Sequence, residues 1–249
     1  MRINILLLLL LGVLSSPVHS QSIRNPDSIF RGNVLKVNLA AFAAENISVQ
    51  YERTIASRFS LSLGYRKMEK TALPFQKEFS DYLDSPESAR QIENLRLGGH
   101  AFTPELRFYL SRKGFPKGFY VAPYARWAKY DLELPYQFTT NSSTETLQLD
   151  GNLNTFTGGV MVGAQFKIFK FLYGDVWIAG GHYGFASGSL SGSRTLSLEQ
   201  QDALKSSFDR LKIPFASATH YTVSSEGADI DLDGPWAGVR TGLCLGVRF

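Results

Sequence analysis

The sequence predicts an all-β fold: an eight-stranded antiparallel transmembrane β-barrel with short periplasmic turns and long extracellular loops that carry short helices. Three observations predict it. Successive segments alternate apolar and polar residues with a period of two. Their polar faces carry full charges as well as serine and threonine. The connections alternate short and long, which places the short ones at one end of a barrel and the long ones at the other.

The elements follow in order. VLKVNLAAFA (34–43) sets Leu35, Val37, Leu39 and Ala41 against Lys36 and Asn38. NISVQYERTI (46–55) sets Ile47, Val49 and Tyr51 against Ser48, Gln50 and Glu52, and RFSLSLGYR (58–66) sets Phe59, Leu61, Leu63 and Tyr65 against Ser60, Ser62 and Arg66. FTPELRFYL (102–110) places Leu106, Phe108 and Leu110 opposite Glu105 and Arg107. Segments 118–130, 154–168 and 172–185 are the fifth, sixth and seventh strands, and 236–249 is the eighth. Pro104 and Pro123 fall inside strands, where bulges are expected because proline cannot donate to a ladder. Connections at 44–45, 56–57, 112–117 and 169–171 are short, and those at 69–97, 132–153 and 187–235 are long. A soluble sandwich shares hairpins and alternation. The charged faces, the aromatics near strand ends (Phe59, Tyr65, Phe119, Trp127, Phe249) and the sorting of loop lengths weigh against it.

The N-terminus has the layout of a cleaved secretory signal. Arg2 precedes an apolar run at 5–14, and small residues stand before Gln21. The expected organisation is a signal peptide at 1–20, a periplasmic leader at 21–32 and a barrel at 33–249. Cys244 is the only cysteine, so no disulfide framework exists. The formal charge of +4 is too mild and too evenly spread to imply nucleic acid. The chain ends on TGLCLGVRF, in which Leu243, Leu245, Val247 and Phe249 alternate with Gly242, Cys244, Gly246 and Arg248.

That terminal pattern resembles the C-terminal assembly signal of bacterial outer-membrane proteins. Together with ISVQYERTIASRFSLSLGYR, TPELRFYL, GFYVAPYARW and GGVMVGAQFKI it resembles a family of small outer-membrane barrels classed as a domain of unknown function, distantly similar to OmpA-type and OmpW-type barrels. The resemblance covers most of 33–249 and weakens in the long loops. It implies a fold and a bacterial outer-membrane location, and it carries no chemistry.

An eight-stranded barrel is just wide enough for side chains to fill. Lys36, Gln50, Glu52, Arg66, Glu105, Arg107, Arg126 and Arg240 are expected inside with Tyr120 and Tyr124, paired into a salt-bridged plug. Histidines at 100, 182 and 220 have no nucleophile and orienting carboxylate at fixed spacing, so no catalytic triad can be drawn. ADIDLDG (228–234) places Asp229, Asp231 and Asp233 like the first half of an EF-hand loop. Pro235 and Arg240 then occupy its seventh and twelfth positions, which leaves at most a weak cation contact. Loop helices are expected at 197–214, opened by a Ser197…Gln200 capping box with Leu204, Phe208 and Leu211 on one face, and at 75–97, with Phe75, Phe79, Tyr82 and Leu83 at helical spacing and an interruption at Pro86. The expected function is non-enzymatic: membrane integrity or surface interaction through the loops of a closed monomeric barrel. The alternatives are a narrow solute channel and, third, an outer-membrane lipid hydrolase. The expected partners are outer-membrane lipid and lipopolysaccharide, the barrel-assembly machinery and an extracellular ligand, with no cofactor.

Overall fold

The computed structural model describes residues 32–43, 45–72, 80–81, 86–111, 117–210 and 217–249. The expected signal segment, the leader before Gly32, and Phe75, Phe79, Tyr82, Leu83, Leu211 and Pro214 of the expected loop helices lie outside the described residues. One antiparallel sheet contains β1 (Asn33–Asn38), β2 (Asn46–Ala56), β3 (Phe59–Ala72), β4 (Arg96–Tyr109), β5 (Gly118–Thr139), β6 (Thr144–Lys167), β7 (Leu172–Ser193), β8 (Ser217–Ser224) and β9 (Gly227–Arg248). Among the described residues, helices α1 (Leu39–Ala43), α2 (Pro86–Asn94) and α3 (Leu198–Arg210) interrupt it.

Strands β1 to β7 pair in chain order, β7 pairs with β9, and β9 pairs back onto β1. The seam runs from Val34↔Arg248 to Asn38↔Cys244. Backbone bonds from the Phe249 amide to the Asn33 carbonyl (3.0 Å) and from the Asn33 amide to the Phe249 carbonyl (3.3 Å) fasten its lower end. Eight strands thus close a ring without a free edge along the seam, and β8 is a ninth that pairs only with the first third of β9.

Side-chain parity runs unbroken along the long β6 strand, yet its chemistry inverts. Near the short turns the outward residues are Phe156, Val160, Val162 and Phe166, while Thr155, Thr157 and Gln165 are buried inside. Past Asn154 the outward residues become Asn152, Asp150 and Gln148, and the buried inward ones Leu153, Leu149 and Leu147. The other long strands make the same exchange. β5 passes from Trp127 outside to Leu132, Leu134, Tyr136 and Phe138 inside, and β9 from outward Leu243 and Val239 to inward Leu232, Ile230 and Ala228. The lower barrel is therefore apolar outside and polar inside, and the upper extension is the reverse. From Phe156 to Phe166 a strand tilted about 40° spans roughly 25 Å of height.

Helix α3 covers the apolar interior of the extension. Leu204 and Phe208 are buried against it, the Phe208 ring meets that of Tyr136 at 4.9 Å, and the Tyr136 and Ser207 hydroxyls bond at 2.8 Å. Its N-terminus carries the expected capping box: the Gln200 amide donates to Ser197 Oγ (3.3 Å) and the Ser197 amide to Gln200 Oε1 (2.9 Å).

Several expectations are corrected. The connection at 132–153 is no loop. β5 and β6 continue through it as a hairpin that turns at 140–143, because Leu132, Leu134, Tyr136 and Phe138 keep the period of two with the polar face turned outward. Much of 187–235 is likewise strand, and β9 begins at Gly227 rather than near Trp236. β1 stops at Asn38, whose Oδ1 accepts from the Ala41 amide (3.2 Å) and caps α1, so Leu39 and Ala41 leave the strand face. Pro86 opens α2, as a residue without an amide proton suits a first helical position. Neither Pro104 nor Pro123 makes a bulge. The β4–β5 ladder merely skips them in register, from Phe102↔Trp127 to Glu105↔Tyr124 and then to Phe108↔Val121.

Candidate functional site

The inward parity of all eight ring strands converges on one layer of charge in the lower barrel. β1 supplies Lys36, β2 Gln50 and Glu52, β3 Ser60, and β4 Glu105, Arg107 and Tyr109. β5 supplies Tyr120, β6 Gln165, β7 Asp175 and Trp177, and β9 Arg240. Small residues opposite the large ones make room. Gly246 faces Lys36 across the seam, and a Cβ there would stand 2.8 Å from Lys36 Cγ.

Every charge in this layer has partners. Lys36 Nζ donates to Glu52, to Gln165 and to Asp175 Oδ2, the last at 2.6 Å. Arg107 uses its whole fork. Nε donates to Glu105 Oε1 (2.6 Å), one terminal nitrogen to Asp175 Oδ2 (2.6 Å) and Glu52 Oε2 (3.2 Å), and the other to Gln50 Oε1 (2.8 Å). Its guanidinium also lies 4.4 Å from the Tyr120 ring centre. Ser60 and Tyr109 donate to the remaining Glu52 oxygen at 2.5 and 2.7 Å, and Tyr120 donates to Asp175 Oδ1 at 2.9 Å. Arg240 donates to Glu105 Oε2 at 3.2 Å. Three cations, Lys36, Arg107 and Arg240, thus balance Glu52, Glu105 and Asp175. Lys36, Gln50, Glu52, Glu105, Arg107, Gln165 and Asp175 are each 2% exposed or less, so the layer fills the lumen. Buried charges persist when paired and hydrogen-bonded as these are.

Above the plug the lumen opens into a chamber of about 350 Å³ lined by Arg66, Arg126, Arg240, Asn38, Ser48 and Thr103, among others. Arg240 bridges the two levels, with its guanidinium 4.6 Å from the Tyr124 ring centre and 4.8 Å from that of Trp177. Arg126 donates to Thr103 Oγ1 at 3.2 Å.

Residues 6–189 match the family described as "Protein of unknown function (DUF3575)". The chain belongs to that family. The crystal structure of CarO from Acinetobacter baumannii is similar to this DUF3575 chain with a TM-score of 0.34 and 14% identity, over 85% of this chain and 100% of that one. No curated protein matches the chain.

The DUF3575 barrel separates residues that the sequence grouped together. Lys36, Glu52, Glu105, Arg107 and Arg240 meet in the plug, whereas Arg66 and Arg126 stand a level higher in the chamber wall. Asp175 and Gln165 were missed, and Asp175 is a hub that receives Lys36, Arg107 and Tyr120. The signal for it was its parity: Tyr173, Asp175 and Trp177 alternate against Leu172, Gly174 and Val176. Asp229, Asp231 and Asp233 lie on the outward face of strand β9 and not on a loop. Extended backbone spaces alternate residues roughly 7 Å apart, and no group of three or more ligating side chains suited to a metal occurs among the described residues. His182 is an inward residue beside Tyr124, with ring centres 6.1 Å apart. His100 and His220 are exposed on strands β4 and β8. Leu243, Leu245, Val247 and Phe249 are exposed on the outer face of β9, with Cys244 buried and Arg248 turned in to Tyr173 (3.1 Å).

Proposed function

We propose that this chain is a monomeric bacterial outer-membrane β-barrel, closed to solutes, that acts non-enzymatically in membrane integrity or surface interaction through its extracellular extension. The plug is the observation that carries the closed reading: a charge-balanced layer drawn from eight strands, in which Lys36, Glu52, Glu105, Arg107 and Asp175 are each no more than 2% exposed. The outward apolar band, roughly 25 Å high on β6, supports the membrane placement, because that height matches a bilayer-spanning barrel. The polar exterior of the extension then stands in water outside the cell, and the lower end of the ring seam, at Asn33 and Phe249, faces the periplasm. Outer-membrane lipid and lipopolysaccharide contact the band, and the barrel-assembly machinery reads the terminal Leu243, Leu245, Val247 and Phe249.

Planar-bilayer recording on purified protein tests the closed barrel. The wild-type chain is expected to give no unitary steps. Reproducible steps that change when Arg107 or Glu105 is substituted would replace this reading with a narrow channel. Loss of lipid A acyl chains on overexpression would replace it with a lipid hydrolase.

A further inference from the structure

The chamber above the plug carries a charge that its own walls do not neutralise. Five cations point into the barrel between the lower rim and the extension, at Lys36, Arg66, Arg107, Arg126 and Arg240. Glu52, Glu105 and Asp175 are the carboxylates facing them, and all three are engaged by Lys36, Arg107 and Arg240. Five less three leaves a surplus of two positive charges, on Arg66 and Arg126. The charged neighbours of Arg66 are Arg126 and Arg240, and no carboxylate is among them. Its Nε is buried without a hydrogen-bond partner, and one terminal nitrogen donates to the Met68 sulfur at 3.6 Å. Close by, His182 faces the same two arginines, Arg126 and Arg240, and its Nδ1 also has no partner. An unpaired guanidinium N–H beside like charges is costly unless an anion receives it.

The chamber is also reachable from the side. Residues 234–243 of β9 pair with β7 on one edge but, among the described residues, with no strand on the other, because β1 ends opposite Cys244 and β8 begins opposite Asp233. The short helix α1 lies at the foot of this gap. Two outward residues, Tyr65 and Val239, line the chamber together with the inward arginines, so it opens through the wall at their height. Val239 shares a ladder rung with Val160 of the apolar band.

We propose that this chamber binds a phosphate group, received by the guanidiniums of Arg66, Arg126 and Arg240 with Asn38, Ser48 and Thr103 as neutral partners. A phosphate of nearly two negative charges matches the surplus, and guanidinium forks suit its oxygens in pairs. A space of about 350 Å³ holds roughly ten waters, or a phosphate with part of its hydration shell. The phosphate comes either from a free solute or from a lipid headgroup that reaches through the gap from the outer leaflet. The inference rests on the closed-barrel reading for the chamber's floor. The two fail separately, since unitary conductance would remove the floor without touching phosphate binding.

The test uses the full chain folded in zwitterionic detergent and two probes. Inorganic phosphate is titrated by calorimetry and by its effect on the urea midpoint. Lipid A, with and without its phosphates, is followed by native mass spectrometry. Phosphate is expected to bind and to raise the midpoint of the wild type. Arg66→Gln and Arg126→Gln should each weaken binding at least ~10-fold, the worth of a charge-assisted bond, and Arg66→Lys should fall between. Without phosphate the glutamine variants should unfold no earlier than the wild type, because each removes a like-charge contact, and this separates lost binding from lost folding. Binding of inorganic phosphate alone upholds the site and assigns a free solute. Retention of phosphorylated lipid A alone upholds it and assigns a headgroup. Failure of both probes, or unchanged binding in both glutamine variants, overturns the proposal.

Discussion

Arg107→Met puts the plug to its hardest test. Arg107 contacts Glu52, Glu105 and Asp175 at 3.2 Å or less from a position that is 0% exposed. Its loss leaves three carboxylates facing Lys36 and Arg240, one negative charge in excess within a layer that admits no water. Removing one partner of a buried ion pair costs about 3–5 kcal/mol. The folding equilibrium should therefore fall by a hundredfold to several thousandfold at ~1.4 kcal/mol per decade. Arg107→Lys keeps the charge but gives up the fork that reaches Glu105, Gln50 and Asp175 together, and should lose less. In Arg107→Met combined with Asp175→Asn, Lys36 and Arg240 again balance Glu52 and Glu105. The second change should then return about 1–3 kcal/mol of coupling energy. Reversible urea unfolding of the barrel from lipid vesicles reads all three variants, with bilayer recording alongside to detect a lumen that has opened. An Arg107→Met barrel that unfolds at the wild-type midpoint and conducts nothing would refute the idea that this layer is dry and charge-balanced.

Other predictions bear on packing, topology and assembly. Gly163 lies under Tyr120, and a Cβ there would press on the ring that donates to Asp175 and stand 2.8 Å from the Val176 carbonyl oxygen. Gly163→Ala should cost about 1–3 kcal/mol by overpacking, and an unchanged urea midpoint would show that the ring has room to move. Trypsin added to intact cells should cut after exposed Arg210 at the end of α3 and spare exposed Lys170 in the β6–β7 turn. The opposite pattern would invert the topology. Deleting Phe249, exposed at the foot of β9 and bonded through its backbone to Asn33, should slow insertion more than it destabilises an inserted barrel. Equal insertion rates for the deletion and the wild type would count against its role as an assembly signal.

What was legible in the sequence was the parity, and what was not was the contact partner. Alternation at 34–38, 46–55 and 59–66 assigned inside and outside residue by residue, since each strand has only two faces. The same rule applied to Asp175, yet glycines at 174 and 181 thinned the apolar side of that segment and hid it. The hairpin tip of β5 and β6 escaped for a different reason. Polar residues such as Glu133, Gln148 and Asp150 suit a loop by composition, yet they are the outward half of a strand whose surroundings have changed from apolar to polar. The division of the arginines between plug and chamber was beyond parity altogether. Arg66, Arg107 and Arg126 share an inward face, and only strand register places Arg107 opposite Ser60 and Arg66 opposite Ala101, six residues apart along β4.

The inversion of the long strands also explains why surplus charge collects where it does. Below the crossover the lumen is polar, and its walls supply Glu52, Glu105 and Asp175 to match Lys36, Arg107 and Arg240. Above it the interior is apolar, built from Leu132, Leu134, Leu149, Ile230 and the underside of α3, where an unpaired guanidinium has no place. At the junction between the two, among the described residues, 234–243 of β9 lacks a strand partner on one edge. A cation set at that level is screened through the gap by water or by an anion, whereas the same cation one turn of the ladder lower would demand a fourth carboxylate. Filling the gap should therefore penalise the arginines. Val239→Trp, at an outward position that is 85% exposed beside the gap, should leave the plug intact and lower the urea midpoint only while Arg66 and Arg126 are present. The measurement is the midpoint of Val239→Trp in the wild-type background against the Arg66→Gln/Arg126→Gln background. Equal shifts in the two backgrounds would show that access through the wall does nothing to stabilise the chamber's charge.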